Sequence, residues 1–270
     1  MNAPLLAAPP QPRTYGPVNW VGLRTLLWRE VGRFLKVAGQ TIFAPLVSSV
    51  LYMMIFSVVM RGREAPLGEV DFATFLAPGL IMLGIINNAF ANSSSSVIIA
   101  KMQGNATDFL MSPLSALELA LAFIGGAVVR GLLVGLVSAV ALAPFADVWP
   151  QNLAAVLYYG LLAAVIFGAL GLMGGVWADK FDKLATVTNF VILPLTFLSG
   201  TFYAIDALPE PFRSIGHGNP VFFLIDGFRM GFVGEADGPW LLGAAVSFLI
   251  AAALCLGCWA LLRSGWKLKA

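Results

Sequence analysis

The chain has 270 residues, of which 59% are hydrophobic and 11% are charged, and its mean hydropathy is +0.86. A water-soluble domain of this length could not bury so much apolar surface, so the composition excludes a soluble globular protein and indicates an integral membrane protein. The net charge is only +2, and no Lys/Arg cluster interleaved with aromatic residues indicates a nucleic-acid partner.

The N-terminal part of the chain changes character at about residue 20. Residues 1–19 are rich in proline, and their apolar patch precedes Arg13, which is the wrong order for a cleaved signal peptide. We predict a mobile cytoplasmic tail here. In residues 20–37 the apolar side chains recur at helical spacing and basic ones fill the other faces, which predicts an amphipathic helix in the headgroup layer.

Six apolar segments follow, each near the roughly 20 residues that a helix needs to cross a bilayer. The third segment has Arg130 near its middle, and the fifth is interrupted by Pro194. They predict an all-α integral membrane protein with six transmembrane helices. The predicted spans are residues 39–60, 72–97, 116–144, 153–178, 184–203 and 240–262.

The distribution of Lys and Arg predicts the orientation. With the N-terminus in the cytoplasm, the inner segments hold eleven basic residues and the outer segments hold four, with Arg130 left inside the membrane. Because basic residues concentrate on the cytoplasmic side, both termini are predicted to be cytoplasmic. Residues 206–236 are then placed on the outer side.

Between the fifth and sixth spans lies an apolar stretch that is too short to cross the membrane. Asn219 and Pro220 form a helix start signal, and Gly234 supplies a stop. Asp226 and Arg229 share one helix face at i, i+3 and are predicted to pair. We predict that this stretch dips into the membrane or lies flat on it; an ordinary amphipathic loop is the alternative.

Polar residues inside the spans are candidates for a transport pathway. An arginine at mid-bilayer costs several kcal/mol unless it faces protein or water, so Arg130 is either a functional residue or a structural clamp. Its candidate partners are Asn87 and Asn88 on the second span. Polar positions of the fifth span predict further pathway lining: Asn189, Thr196 and Ser199. The spans hold too few carboxylates for a proton relay, which argues against an ion-coupled carrier.

The sequence gives no sign of a cofactor or an enzyme site in this chain. It has no GxxxxGK[ST] phosphate-binding motif, and its single histidine, His217, is flanked by glycines. Cys255 and Cys258 lie one helical turn apart in an uncharged apolar run, without a second ligand pair, which favours core packing over metal or redox chemistry.

The loop of residues 103–113, between the second and third spans, has the features of a short docking element. A helix from about Asn105, capped by Asn105 or Thr107 and ending before Pro113, is predicted. A plain connecting turn is the alternative. The helix would present an apolar knob toward the cytosol or a partner protein, formed by Phe109, Leu110 and Met111.

Six motifs occur along the chain in a recognisable order. They are WRE at 28–30 with RF at 33–34, QTIFAP at 40–45, FLAPGLIM at 75–82, GGAVVRG at 125–131, PLTFLSGTFY at 194–203 and NPVFFLIDGFRMG at 219–231. In this order they resemble the permease subunits of ABC-2 type exporters, and most closely the YadH-like branch of bacterial inner-membrane permeases. The resemblance covers nearly the whole chain from Trp20, so residues 20–270 are expected to form one ABC-2 transmembrane domain.

The resemblance implies a homodimer in the bacterial inner membrane, joined to two copies of a separate ATPase that binds ATP and Mg. Residues 103–113 would be the coupling helix, the amphipathic helix a second contact, and residues 206–236 a pair of short re-entrant helices that help gate the exit. The coupling residues would be Trp28, Glu30, Arg33, Asn105, Asp108, Phe109, Leu110 and Pro113. The outer gate would comprise Asn219, Pro220, Asp226 and Arg229.

From these features we expect an exporter of an amphiphilic or hydrophobic substrate (lipid, glycolipid or drug), working by alternating access at a homodimer interface lined by spans one, two and five. The glycan-exporting branch usually carries an Arg-Asp, Arg-Tyr pattern where this chain has WREVGRF at 28–34. Export of O-antigen-type glycans is therefore an alternative. An ATP-independent channel or carrier and a membrane-bound transferase are further alternatives, but the scattered carboxylates favour neither.

Overall fold

The structure is a computed structural model that describes residues 16–60 and 70–268, without the side chain of Leu110. The predicted tail therefore lies outside the described residues up to position 15. Every regular element in the two described ranges is helical. The α-helices are α1 (Trp20–Leu35), α2 (Ala44–Val59), α3 (Phe72–Met102), α4 (Ala106–Met111), α5 (Ala116–Leu142), α6 (Leu153–Trp177), α7 (Phe181–Val187), α8 (Leu193–Phe197), α9 (Phe212–Gly218), α10 (Pro220–Val233) and α11 (Trp240–Ser264).

Five helices in the described ranges are long and apolar enough to cross a membrane. They are α2 together with the π-helical turn that precedes it (Gly39–Val59), α3, α5, α6 and α11. The fold is that of a multi-pass, all-helical membrane protein. Because successive spans run in opposite directions, α1, α4 and the last turns of α3, α6 and α11 lie at one end of the bundle, called here the α1 end.

The predicted fifth span is a composite helix. It consists of α7, a π-helical turn (Thr188–Ile192) and α8, and the chain then turns back at Gly200, whose φ is +79°. Pro194 follows the π turn, as Pro45 follows the π turn before α2. A proline cannot donate to the carbonyl four residues earlier, and a wider turn accommodates its ring. From Phe181 to Phe197 the helix rises only about 25 Å, which is shorter than the predicted 184–203 span and a bilayer core of about 30 Å.

The helix α3 lies at the centre of the bundle. In its apolar 18-residue stretch, 89% of the residues are buried, whereas only 11% are buried in the corresponding stretch of Gly39–Val59, which contains α2. Glycines of α6 allow its backbone to approach α3 closely. A Cβ on Gly171 would collide with the carbonyl oxygen of Phe90 and the hydroxyl of Ser93, and one on Gly175 would lie 2.8 Å from the carbonyl oxygen of Ser94. Gly171 and Gly175, four residues apart on α6, therefore allow tight packing of α6 against α3.

The substitution Gly171→Ala is expected to destabilise the protein by about 1–3 kcal/mol because the colliding atom belongs to backbone, which cannot rotate away. Gly257→Ala on α11 is the matched control, since its new methyl group would meet only the flexible end of Met173 at 3.4 Å. Both changes gain the same helix propensity. Thermal unfolding of the purified chain in detergent measures the difference, and equal melting temperatures would contradict the close packing.

Candidate functional site

A cleft of about 860 Å³, lined by both polar and apolar side chains and called here the polar cleft, lies on the surface of α3, between α2, α5 and α8, and extends to the last turn of α1. Its polar side chains come from α1 and the first span (Arg33, Gln40, Ser48 and Tyr52) and from α3 and α5 (Asn87, Asn88, Ser95 and Arg130). Several of its lining side chains, such as Ser48 and Tyr52, are exposed in the single chain. The cleft is therefore open to its surroundings along α2.

Arg130 reaches this cleft from the middle of α5. Its Nε and Nη2 atoms donate to Oδ1 of Asn88 at 3.2 and 3.1 Å. The Nδ2 of Asn88 donates to the carbonyl oxygen of Gly84 at 3.1 Å, which holds the amide so that its oxygen faces Arg130. The predicted partnership with Asn88 is present, and Asn87 lines the cleft nearby. No ion pair of Arg130 occurs among the residues that the structure describes.

The predicted lining from the fifth span needs correction. Asn189 is exposed but does not line the cleft, and Thr196 and Ser199 are buried with their hydroxyls donating to Ile192 and Leu195 carbonyls of their own helix. The π turn inserts an extra residue and rotates all later positions by about 100° relative to a regular helix. As a result, Leu193 and Phe197 line the cleft instead.

Sequence reasoning missed the polar stripe on the first span. Gln40, Ala44, Ser48 and Tyr52 all line the cleft and follow one another at intervals of four residues. Positions four apart share one face of a helix. The sequence therefore contains a signal for this stripe: Gln40, Ser48 and Tyr52 are polar residues at multiples of four in an otherwise apolar segment.

The charged face of α1 packs against α3. Glu30 is fully buried and accepts hydrogen bonds from Arg29 (3.0 Å), Arg33 (3.3 Å) and the hydroxyl of Ser96 (2.8 Å). Arg33 also donates to the carbonyl oxygen of Asn92 at 2.6 Å. Glu30 and Arg33, predicted to contact the ATPase, thus anchor α1 on α3, because a buried carboxylate needs several donors. Glu30 is too deeply buried to present its charge to a partner protein, whereas Arg33 remains partly exposed.

The start of α1 is tied to the loop that follows α4. Ser115 and Glu118 form a capping box at the start of α5, and Glu118 also accepts the backbone N–H of Asn19 at 2.5 Å. The amide of Asn19 donates to the carbonyl oxygen of Pro113 at 3.0 Å. These contacts join α1, α4 and α5 into one unit at the α1 end.

A groove of about 720 Å³, called here the α1–α4 groove, separates α1 from the end of α3 and from α4. Its lining includes Trp28, which is 72% exposed, together with Asp108 and Phe109 of α4. Asn105 also lines the groove and begins α4, but neither Asn105 nor Thr107 caps the helix with its side chain, which corrects the predicted cap. The groove is mixed in character, with basic and aromatic walls.

The predicted apolar knob is only partly exposed. Phe109 packs edge-on against Phe123 at 5.3 Å and lies under the guanidinium of Arg29 at 4.8 Å, because α5 and α1 offer it an apolar and cationic pocket. Met111, in contrast, is 83% exposed. The Leu110 side chain lies outside the described residues. Of the described members of the predicted trio, Met111 is exposed and Phe109 is partly buried, and Trp28 adds a further exposed apolar side chain at this end.

At the opposite end of the bundle, Asn219 begins α10 as the sequence predicts. Its Oδ1 accepts the N–H of Val221 at 3.0 Å, Pro220 occupies the first turn, and Gly234 ends the helix with φ +87°. The Nδ2 of Asn219 also donates to the hydroxyl of Ser199 at 2.7 Å. The cap therefore fastens α10 to the end of α8.

Arg229 is one of the largest fully buried side chains of the described chain, with 1% of its surface exposed. It donates to the carbonyl oxygens of Phe75 (3.2 Å) and Gly200 (2.6 Å), and its guanidinium lies 4.0 Å from the centre of the Phe75 ring. One side chain thus joins α10, α3 and the turn after α8. Most of the α10 side chains are likewise buried against neighbouring helices.

The predicted ion pair between Asp226 and Arg229 is wrong, since none of the described ion pairs joins them. Asp226 accepts the backbone N–H groups of Asp237 (2.8 Å) and Gly238 (3.0 Å), which precede α11. The two side chains diverge because α10 is packed on several sides. Burial raises the pKa of the Asp237 carboxyl, and the negative charge of Asp226 raises this pKa further.

In the described ranges, no group of three or more His, Cys, Asp or Glu side chains is placed to hold a metal ion. Cys258 is buried in α11, where its thiol faces the carbonyl oxygen of Ala169 at 3.4 Å. Cys255, one turn earlier, is partly buried. Their positions are those of packing residues.

Comparisons with known proteins agree with the motif order. Residues 21–233 match the family model described as ABC-2 type transporter. Over 251 residues the chain is 36% identical to the inner membrane transport permease YadH of Escherichia coli (strain K12), covering 93% of this chain and 98% of that protein. It is 24% identical over 217 residues to nodulation protein J of Rhizobium leguminosarum bv. trifolii, covering 79% and 81% of the two chains.

Proposed function

Because the chain belongs to the ABC-2 type transporter family, we propose that it is the permease subunit of an ATP-driven exporter in a bacterial inner membrane. The substrate would be an amphiphilic or hydrophobic molecule such as a lipid, glycolipid or drug, moved out of the cytoplasm by alternating access. The observation that carries this proposal is the open polar cleft, whose walls come from the first and second spans and the composite helix, with Arg130 added by the third span. These are the elements expected to line the pathway.

A second copy of the chain would close the cleft. The first span is the least buried of the five candidate spans, and its exposed face includes Val47, Leu51 and Ile55, each more than half exposed. The same helix carries the polar stripe that lines the cleft. A homodimer would therefore enclose a polar pathway at its centre, while the apolar surfaces of the two subunits face the lipid. The short composite helix would serve as a sixth span.

A separate ATPase, present in two copies and carrying ATP and Mg, would dock at the α1 end. The α1–α4 groove supports this assignment because its walls come from two elements that are tied to each other through Asn19, Pro113 and Glu118. A push on α4 would reach α5 and α1 through these contacts. The outer region would restrict the exit at the opposite end.

The charge cluster around Asp179 supports a cytoplasmic position for the α1 end and both termini. Lys183 (2.7 Å), Lys101 (3.7 Å) and Lys267 (3.8 Å) surround this carboxylate, and the hydrogen bond from Lys183 lowers its pKa. Lys267 follows α11, so the C-terminal part of the chain lies at the same end as α1. Basic residues concentrate on the cytoplasmic side of membrane proteins.

Affinity purification of the tagged chain in mild detergent, followed by native mass spectrometry, tests the proposal. We expect two permease copies with two copies of one ATPase. A chain that arrives without an ATPase and still transports in ATP-free vesicles would contradict the exporter and favour a channel or carrier.

A further inference from the structure

The described residues that line the polar cleft do not balance its positive charge. None of the lining residues in the described part of the chain is acidic, whereas two of them, Arg33 and Arg130, are arginines. The charge of Arg33 is met by Glu30 at 3.3 Å. In residues 16–60 and 70–268, the acceptor for Arg130 is the neutral amide oxygen of Asn88. One guanidinium charge near the middle of a membrane span therefore has no counter-charge among these residues.

Such a charge is costly at this depth. An arginine inside a bilayer costs several kcal/mol unless water, a carboxylate or another anion compensates it. Nε and Nη2 of Arg130 share one acceptor, so the other N–H groups of its five-donor fork have no partner among the described residues. A fork of this shape fits the oxygen atoms of a phosphate or carboxylate in bidentate fashion.

The surroundings of Arg130 combine polar and apolar groups. Gln40 and Asn87 add neutral hydrogen-bonding groups, while Leu83, Leu193 and Phe197 add apolar wall. A soluble anion would use only the polar groups. A molecule with an anionic head and a hydrocarbon part would use both.

We propose that Arg130 forms, with Asn88 as its positioning residue, an anion-binding site for the phosphate or carboxylate head of an acidic amphiphile. The hydrocarbon part of the molecule lies along Leu83, Leu193 and Phe197. That this molecule is the transported cargo rests on the proposed export function. The binding step itself does not.

Equilibrium binding to the purified full-length chain in a non-ionic detergent tests the site, with dioctanoyl phosphatidic acid as the probe. Dioctanoylglycerol has the same tails without the phosphate, and inorganic phosphate has the anion without the tails. We expect the wild-type chain to bind the phosphatidic acid about tenfold more tightly than either control compound, since hydrogen bonds between charged groups contribute about this factor.

Arg130→Gln is expected to weaken binding of the phosphatidic acid about tenfold and to leave binding of dioctanoylglycerol unchanged. Arg263→Gln is the matched control: this arginine lies in the last turn of α11, outside the cleft and 5.2 Å from the Trp259 ring. It reports on anions attracted merely to the membrane surface. Arg130→Lys keeps the charge without the fork and is expected to fall between wild type and the Gln variant; it serves as the test if the Gln variant does not fold.

Equal binding of the phosphatidic acid to wild type and to either Arg130 variant would overturn the site, as would an equal loss in Arg263→Gln. If inorganic phosphate binds as tightly as the phosphatidic acid, an anion site remains but the amphiphile is overturned in favour of a soluble anion. No ATPase enters these titrations. Failure of the exporter assignment, read from co-purification, is therefore distinguishable from failure of the anion site.

Discussion

Arg229→Ala is expected to lower the stability of the protein by at least about 3 kcal/mol, which corresponds to a fall of roughly 6–12 °C in melting temperature for a chain of this size. The side chain is 1% exposed and holds two backbone carbonyls and an aromatic ring from two other segments. Its removal leaves the buried carbonyl of Gly200 without this donor, removes the second donor of the Phe75 carbonyl in α3 and opens a cavity. Thermal unfolding of the full chain in detergent measures the effect.

Arg213→Ala is the matched control for this change. Arg213 lies in the neighbouring helix α9, is 46% exposed at its side chain and pairs with Asp206 at 2.7 Å. An exposed ion pair contributes at most about 1 kcal/mol, so this variant is expected to melt close to wild type. Arg229→Lys, which cannot reproduce the planar fork, is expected to lie between the two. Equal melting of both alanine variants would contradict the anchoring role of Arg229.

The parts of the fold that depend on local signals could be predicted from the sequence. Long apolar runs located the five spans, and the Asn219–Pro220 start and Gly234 stop located α10. These signals are local because a helix cap, or an apolar run long enough to cross the hydrocarbon core, involves only residues that are close in the sequence. The partnership of Arg130 with Asn88 was also predictable, since a mid-span arginine requires a nearby polar group.

Features that depend on tertiary packing could not be predicted in the same way. Asp226 and Arg229 have the spacing of a helical ion pair, but each finds backbone partners on a different neighbouring segment. Glu30 sits in a helix whose charges resemble an exposed face, yet Ser96 of α3 and two arginines of α1 donate to it and make its burial possible. Which side chains of α8 face the cleft depends on one π turn, and the spacing of residues in the sequence does not indicate that turn.

The burial of Glu30 and the partial burial of Phe109 change which residues could contact the proposed ATPase. Glu30 and Phe109 contact α3 and α5 and so help to position the α1–α4 groove. The exposed apolar side chains beside the groove can instead be buried against a partner protein. Trp28 and Met111 are such groups, at 72% and 83% exposure. Exposed tryptophans that become buried in an interface are typical binding hot spots.

The double variant Trp28→Ala, Met111→Asp is therefore expected to reduce co-purification of the ATPase by roughly 30-fold or more, because loss of one hot spot costs about 2 kcal/mol and a carboxylate buried without a partner costs more. The permease itself is expected to insert and dimerise normally, since neither side chain contributes to its core.

The matched control is Trp149→Ala, which removes a tryptophan that is 82% exposed between α5 and α6, at the opposite end of the bundle. Its ATPase yield should equal that of wild type. If the double variant also retains the ATPase, docking must use another surface of the α1 end, whereas a loss in both variants would mean that an exposed tryptophan matters for assembly wherever it lies.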